Sequence, residues 1–158
     1  MKDLIIRRAT AEDGEAIAEI AVAEWEAIYL GFRDQLGEEL FRLQYGDYRA
    51  KKRAAVLSTL EAIYVSELEG RIVGFITLFY DGDTGIGTIS NNAVAGDMRG
   101  HGIGGRQYEF VFDRLREMGA KCVKVGTGLD EAHAPARRAY EKAGFDRSLS
   151  SITYYKML

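Results

Sequence analysis

The sequence has a single cysteine, Cys122, among 158 residues. One thiol cannot close an internal disulfide, so the fold must rest on its core. Histidine is nearly as scarce, with only His101 and His133. With one cysteine beside them, they make no metal-ligand cluster. No run approaches the roughly 20 apolar residues of a membrane span. The first residues carry no apolar stretch of signal-peptide length either. A soluble, cytoplasmic protein with no membrane partner is the expectation. The formal net charge is −3, too near neutral to gather nucleic acid by its field. Internal repeats and low-complexity tracts are also missing.

What is present suffices for one domain over residues 1–158. Hydrophobic residues make up 47%, and a chain of this length buries roughly 70% of its unfolded surface. Residues 4–8 read as a first strand. Thr10 with Asp13 gives a capping hydroxyl and an acid three residues on, a helix start. Ile17, Ile20, Ala21, Ala27 and Ile28 keep helical spacing, which predicts a helix to about Leu30. Leu36, Leu40 and Leu43 give a second helical stripe, broken at 45–48. A third helix is predicted over 49–60. Its cluster of Arg49, Lys51, Lys52 and Arg53 reads as a solvated face.

The pattern then changes to β-branched and aromatic residues over 62–68 and 71–80, with Glu69-Gly70 as the hairpin turn. In the second of these strands both alternating sets are apolar, so it should be covered on both faces. Residues 86–94 form a further strand. A helix over 103–118 follows a glycine-rich loop, with Phe110, Val111, Leu115 and Met118 inward, and Gly119 ends it. Residues 121–125 read as a strand in which Cys122 is a buried structural thiol. A short helix over 135–143 stops at Gly144, and 150–157 is the last expected strand. The order is α/β (α+β): a mixed, mostly antiparallel sheet flanked by helices.

The most informative segment runs from Val94 to Gly105. It joins a strand to a helix and contains Gly96, Gly100, Gly102, Gly104 and Gly105. Glycines let backbone N–H groups converge and let a ligand approach without a Cβ in the way. A helix N-terminus adds unpaired donors and partial positive charge. Together these suit a pyrophosphate. Gly100, Gly102 and Gly105 also satisfy the Gly-x-Gly-x-x-Gly signature of dinucleotide folds, a weak signal alone. An antiparallel hairpin precedes the loop here, where that fingerprint sits tightly against a strand inside a βαβ unit. No Gly-Lys-Ser/Thr follows, which excludes the usual nucleoside-triphosphate loop.

Arg99-Gly100-His101-Gly102-Ile103-Gly104 resembles the Arg/Gln-x-x-Gly-x-Gly/Ala motif of the GNAT N-acetyltransferases. Residues 133–145, from His133 through Tyr140 to Gly144-Phe145, resemble that family's Asn-x-x-Ala-x-x-x-Tyr-x-x-x-Gly-Phe segment. The element order is similar over nearly the whole chain. The resemblance implies an acetyl-CoA-dependent transfer of an acetyl group to a primary amine, with acetyl-CoA as cosubstrate and no metal. The acceptor would be a small molecule, a peptide or a protein amine. By position, Asn92, Ala93 and Val94 would pair with the pantetheine arm, and the backbone N–H near Val94 would face the thioester oxygen. The pyrophosphate would lie over Arg99, Gly100, His101, Gly102, Ile103, Gly104 and Gly105, with His101 offering mainly its backbone. Arg99 would contact it or brace the loop. Tyr140 would protonate the departing thiolate. Many relatives dimerise, which leaves a homodimer open.

The departures matter as much. His133 replaces the usual Asn, as a pantetheine ligand or as an exposed helix-cap residue. Gly96 stands where many members have Pro. The family's usual carboxylate base is missing from both central strands, 88–92 and 123–128. The acceptor's proton would leave through water relayed by Ser90 or Asn91, or to a first-helix carboxylate such as Glu24 or Glu26. On the acceptor side, Trp25, Tyr29, Phe32, Phe41, Tyr45 and Tyr48, with Glu24, Glu26, Asp34, Glu38 and Glu39, read either as core and solvated acids or as a pocket for a cationic amine. A noncatalytic acyl-CoA-binding or sensing module with the same fold is the alternative to an enzyme.

Overall fold

The computed structural model describes residues 3–158. The chain runs β1 (Leu4–Arg8), α1 (Gly14–Leu36), α2 (Glu38–Tyr45), α3 (Tyr48–Leu57), β2 (Ile63–Leu68), β3 (Arg71–Asp81), β4 (Ile86–Val94), α4 (Ile103–Glu117), β5 (Cys122–Val125) and α5 (Ala134–Lys142). The sheet order is β1-β2-β3-β4-β5. Neighbours pair antiparallel up to β4, and β4 pairs parallel with β5. This is the mixed, mostly antiparallel sheet that the element order predicts. Among the described residues no helix is long and apolar enough to cross a membrane.

The period-2 alternation of the strands sorts side chains onto two faces. Ile63, Val65, Phe75 and Ala93 face α1 and α3, where Ile17, Ala21 and Val56 complete a core. Tyr64, Ile76, Leu78 and Ile89 face the other way, against Tyr108, Val111 and Leu115 of α4 and Tyr140 of α5. In β3, residues 73–78 are all buried, as two apolar sets in one strand require.

Several expectations need correction. α1 continues past Leu30 and takes Leu36 from the second helical stripe. Gly37, at φ 77°, makes the break, in a left-handed conformation that costs glycine little. Met118 is exposed rather than inward, because it lies past the last turn of α4. Cys122 is exposed rather than buried. It sits on the short edge strand β5, whose outer side has no neighbour in the sheet order. The last expected strand does not form: residues 150–157 have no regular structure. Leu149, Ile152 and Tyr154 stand exposed. Residues 143–147 instead line a cavity of about 640 Å³ with Phe112, Leu115, Cys122 and Val123. A strand needs a ladder partner, and alternation alone does not supply one. Lys52 is buried, not solvated with the basic cluster around it.

Candidate active site

The site is built where the sheet comes apart. The β4–β5 ladder stops at Ile89↔Val125, while β4 continues to Val94. Residues 90–94 therefore present an edge on the β5 side. Just past the parting point β4 bulges. Leu78 pairs with Ile89 and Ile76 with Asn92, so Ser90 and Asn91 together oppose Thr77. A bulge bends its strand and re-aims its side chains. Here it lies directly after the last β4–β5 pair.

Register decides where the backbone of Val94 points. Ala95 N–H donates to Val73 C=O at 2.9 Å, and Val94 is the next residue back, opposite Gly74. In an antiparallel ladder such pairs alternate between bonded and non-bonded. The N–H of Val94 thus faces away from β3, into the gap. Gly74 permits the tight approach of the two strands. A Cβ there would lie 2.7 Å from Ala93 O and 3.3 Å from Val94 Cα.

The glycine loop closes one end of the gap. Gly100 (φ 80°) and Gly102 (φ 78°) adopt left-handed backbone conformations. A Cβ at Gly100, Gly102 or Gly105 would meet nothing within 4 Å, so their free faces look into open space. Gly102 is the N-cap of α4 and has no side chain to cap it. The first N–H groups of the helix, from Ile103 onward, are left for a ligand. Arg99 braces the loop: its guanidinium pairs with Glu24 of α1. His101 Nδ1 lies 2.9 Å from Arg99 O and holds the turn from within.

Tyr140 projects from α5 toward the same strand. Its ring packs edge-on against Tyr108 and Phe145. Its hydroxyl donates to Asn92 Oδ1 at 3.2 Å, and Asn92 Nδ2 donates to the Tyr108 hydroxyl at 2.8 Å. Burial pushes the Tyr140 phenol up to about 12 and raises that of Tyr108 as well. Both keep their protons at any working pH, because an anion there would be poorly solvated.

These features together are a strand edge with an N–H turned into the gap, a glycine loop at an uncapped helix N-terminus and a buried phenol. The family model described as "Acetyltransferase (GNAT) family" matches residues 15–145. The chain belongs to the GNAT acetyltransferase family. Solved GNAT-like structures share the fold. PaiA N-acetyltransferase from Thermoplasma acidophilum, solved with coenzyme A, superposes with a TM-score of 0.74 at 16% identity, covering 94% of this chain and 93% of that one. Ard1 from Thermoplasma volcanium gives 0.66 at 23%, covering 92% and 84%. An aminoglycoside acetyltransferase from an uncultured soil metagenomic sample, solved with sisomicin, gives 0.62 at 17%, covering 99% and 97%. Comparison with curated proteins finds no match.

The other residues named from the sequence lie around this frame as follows. His133 is not an exposed cap. Its Nδ1 bonds Asp130 Oδ2 at 2.7 Å, and its ring stacks on Phe32 of α1 at 6.0 Å. Gly128 makes room for that pair, since a Cβ there would sit 2.5 Å from His133 Nδ1. Tyr29, Phe32, Phe41, Tyr45 and Tyr48 form one ring cluster, the closest pair being Tyr29 and Tyr48 at 4.5 Å. Trp25 stands apart from them, against Phe75. The two carboxylates considered as bases are both engaged. Glu24 holds Arg99. Glu26 bonds Arg49 and Tyr48, and its bond to Arg49 holds it below the usual carboxylate range. Among the described residues no group of three or more His, Cys, Asp or Glu is placed to hold a metal ion.

The sequence reading missed two residues here. Tyr108 was not among the inward residues expected of the 103–118 helix, yet it is buried and bonds Asn92. Lys52 was hidden among basic neighbours. One signal was available: Lys52 and Val56, the buried residues of α3, are spaced i, i+4 on a single stripe.

Proposed function

We propose that the protein transfers the acetyl group of acetyl-CoA directly to a primary amine. The observation that carries this reading is the unpaired edge of β4, with the Val94 N–H turned into the gap and the uncapped N-terminus of α4 at its end. Asn92, Ala93 and Val94 offer backbone partners to the pantetheine arm. Residues 99–105 offer the loop to the pyrophosphate. The Val94 N–H is aimed to stabilise a developing oxyanion, a contribution typically of roughly 3–4 kcal/mol. His133, held by Asp130, lines the approach from α5.

Tyr140 is the acid for the leaving sulfur. Its phenol, near 12, is a weaker acid than a free thiol near 8.5. The same burial also raises the thiol, because a thiolate in this gap is equally poorly solvated. The transfer is therefore more nearly balanced in the closed site than in water. The aromatic cluster of α1, α2 and α3, with Glu26 beside it, suits a cationic acceptor. The aminoglycoside acetyltransferase with a similar fold, solved with sisomicin, is consistent with that chemistry.

The test is release of free thiol from acetyl-CoA against a panel of small amines, aminoglycosides and peptides. Turnover with any of them supports the reading. Tight acetyl-CoA binding with no turnover would favour a noncatalytic acyl-CoA sensor. Binding of NAD in place of acetyl-CoA would remove both.

A further inference from the structure

An ammonium cannot attack a thioester until it loses a proton, and β4 and β5 hold no carboxylate to take it. One buried amine stands beside the parting of these strands. Lys52 of α3 is 7% exposed. Its Nζ lies 3.3 Å from the centroid of the Trp25 ring and donates to Asn91 Oδ1 at 2.7 Å. Among the described residues no carboxylate pairs with it. Of the five acids on α1, Glu15 pairs with Arg53, Glu24 with Arg99, and Glu26 with Arg49 and Tyr48, while Glu19 and Asp34 are exposed. Lys51, its neighbour on α3, is exposed. A buried ammonium without a counter-charge is costly. Burial accordingly lowers the Lys52 amine to about 7, and the neutral form is well populated at neutral pH.

Its position gives this amine a use. Asn91 and Asn92 are adjacent at the bulge of β4 and turn to opposite faces of the sheet. Asn91 meets Lys52, and Asn92 meets Tyr140. The gap beyond Ile89 joins those faces. Thr77, opposite the bulge, pairs with Ile63 on the α1 and α3 face. It is 1% exposed, and its Oγ1 has no hydrogen-bond partner among the described residues. Buried hydroxyls are normally satisfied.

We propose that Lys52 is the proton acceptor for the incoming amine, working on the α3 face of β4 while Tyr140 serves the leaving sulfur on the α5 face. The proposal rests on the acetyl-transfer reading above. The neutral Nζ takes one proton from the acceptor ammonium and becomes an ammonium itself. The freed amine forms the C–N bond, and the C–S bond breaks. Tyr140 gives its proton to the thiolate. The nitrogen loses its second proton as the amide forms, and that proton restores Tyr140. Lys52 returns its own proton to solvent, so each turnover releases one.

The experiment compares wild type, Lys52→Arg and Lys52→Met with an amine that the wild type accepts. It reads kcat/KM from pH 5.5 to 9.5, with acetyl-CoA affinity and circular dichroism as folding controls. In parallel, the lysine Nζ and Cε resonances of labelled wild-type protein are titrated by NMR, with Lys52→Arg identifying the Lys52 signal. The wild type should lose activity below a midpoint near 7, and the Lys52 resonance should share that midpoint. Both variants should fall by roughly 10²–10⁴ at neutral pH, the usual worth of a positioned base. Their residual rates should climb tenfold per pH unit toward the amine's own pKa. Arginine keeps the cation but cannot accept a proton, so a purely structural cation would be rescued by it. Lys52→Arg with a wild-type profile within threefold, or a Lys52 resonance titrating near 10, overturns the proposal alone. A wild type that binds acetyl-CoA yet turns over no amine removes the acetyl-transfer reading, and this proposal with it.

Discussion

Replacing Lys52 with methionine should stabilise the protein at pH 6, and the gain should shrink as the pH rises. The lysine is held at about 7 in the folded chain against 10.5 for the free side chain. Each unit is worth about 1.36 kcal/mol, so the penalty for a charged Lys52 in the folded state is about 5 kcal/mol. Methionine removes that penalty and keeps an unbranched chain under Trp25. It also gives up the bond to Asn91, worth about 1 kcal/mol, and the contact of the cation with the ring, worth about 1–2. A net gain of about 2–3 kcal/mol at pH 6 follows. The sign of the pH dependence comes from proton counts. Between about 7 and 10.5 the unfolded chain holds a proton at Lys52 that the folded chain does not. Wild-type stability therefore rises through that window, while the variant lacks this gain. The advantage of Lys52→Met should fall by about 2–3 kcal/mol from pH 6 to pH 9. Urea unfolding read by circular dichroism measures both. Trp25 fluorescence is unsuitable, because this single tryptophan touches the mutated side chain. An advantage that does not change with pH, or a variant less stable at pH 6, would refute the reasoning. Marginal gains in stability at the expense of activity are a common signature of functional groups.

Tyr140→Phe keeps the ring against Tyr108 and Phe145 and removes only the hydroxyl. Steady-state kinetics should show kcat lower by roughly 10²–10⁴, with acetyl-CoA affinity by calorimetry little changed. Gly102→Val places a β-branched residue at φ 78°, which costs about 1–2 kcal/mol of stability. It also sets a side chain on the open face of the loop, so acetyl-CoA affinity should fall at least tenfold. The carboxylate of Asp13, bonded by Arg7 at 2.7 and 2.8 Å, is held well below the usual carboxylate range chiefly by those bonds. Its contribution is fully present above about pH 4, the unfolded value, and is lost as the pH falls toward the folded value. Asp13→Asn should cost about 1–3 kcal/mol at pH 7. The difference from wild type should narrow at pH 3 in urea titrations.

Much of this protein was legible from local pattern. The alternation in 71–80 marked β3 as covered on both faces, because a strand's period is fixed by its backbone. The glycines from 96 to 105 marked the loop, because positive φ and close approach exclude most other residues. The spacing from His133 to Tyr140 places His133 at the N-cap of α5 and Tyr140 about two turns into it, since helical period depends on sequence separation alone. Other features depend on which elements meet, and no local pattern encodes that. Residues 150–157 hold the β-branched and aromatic Ile152, Thr153, Tyr154 and Tyr155 that strands favour, yet no ladder partner meets them. Cys122 reads as interior, yet β5 is an edge. The direction of the Val94 N–H follows from its register against β3, and the splay from the point where β5 ends. Lys52 shows the difference most sharply. Its sequence neighbours are Lys51 and Arg53, which made a solvated face the natural reading. The packing of α3 over β4 instead turns it beneath Trp25 and onto Asn91, and burial without a counter-charge is what changes its chemistry.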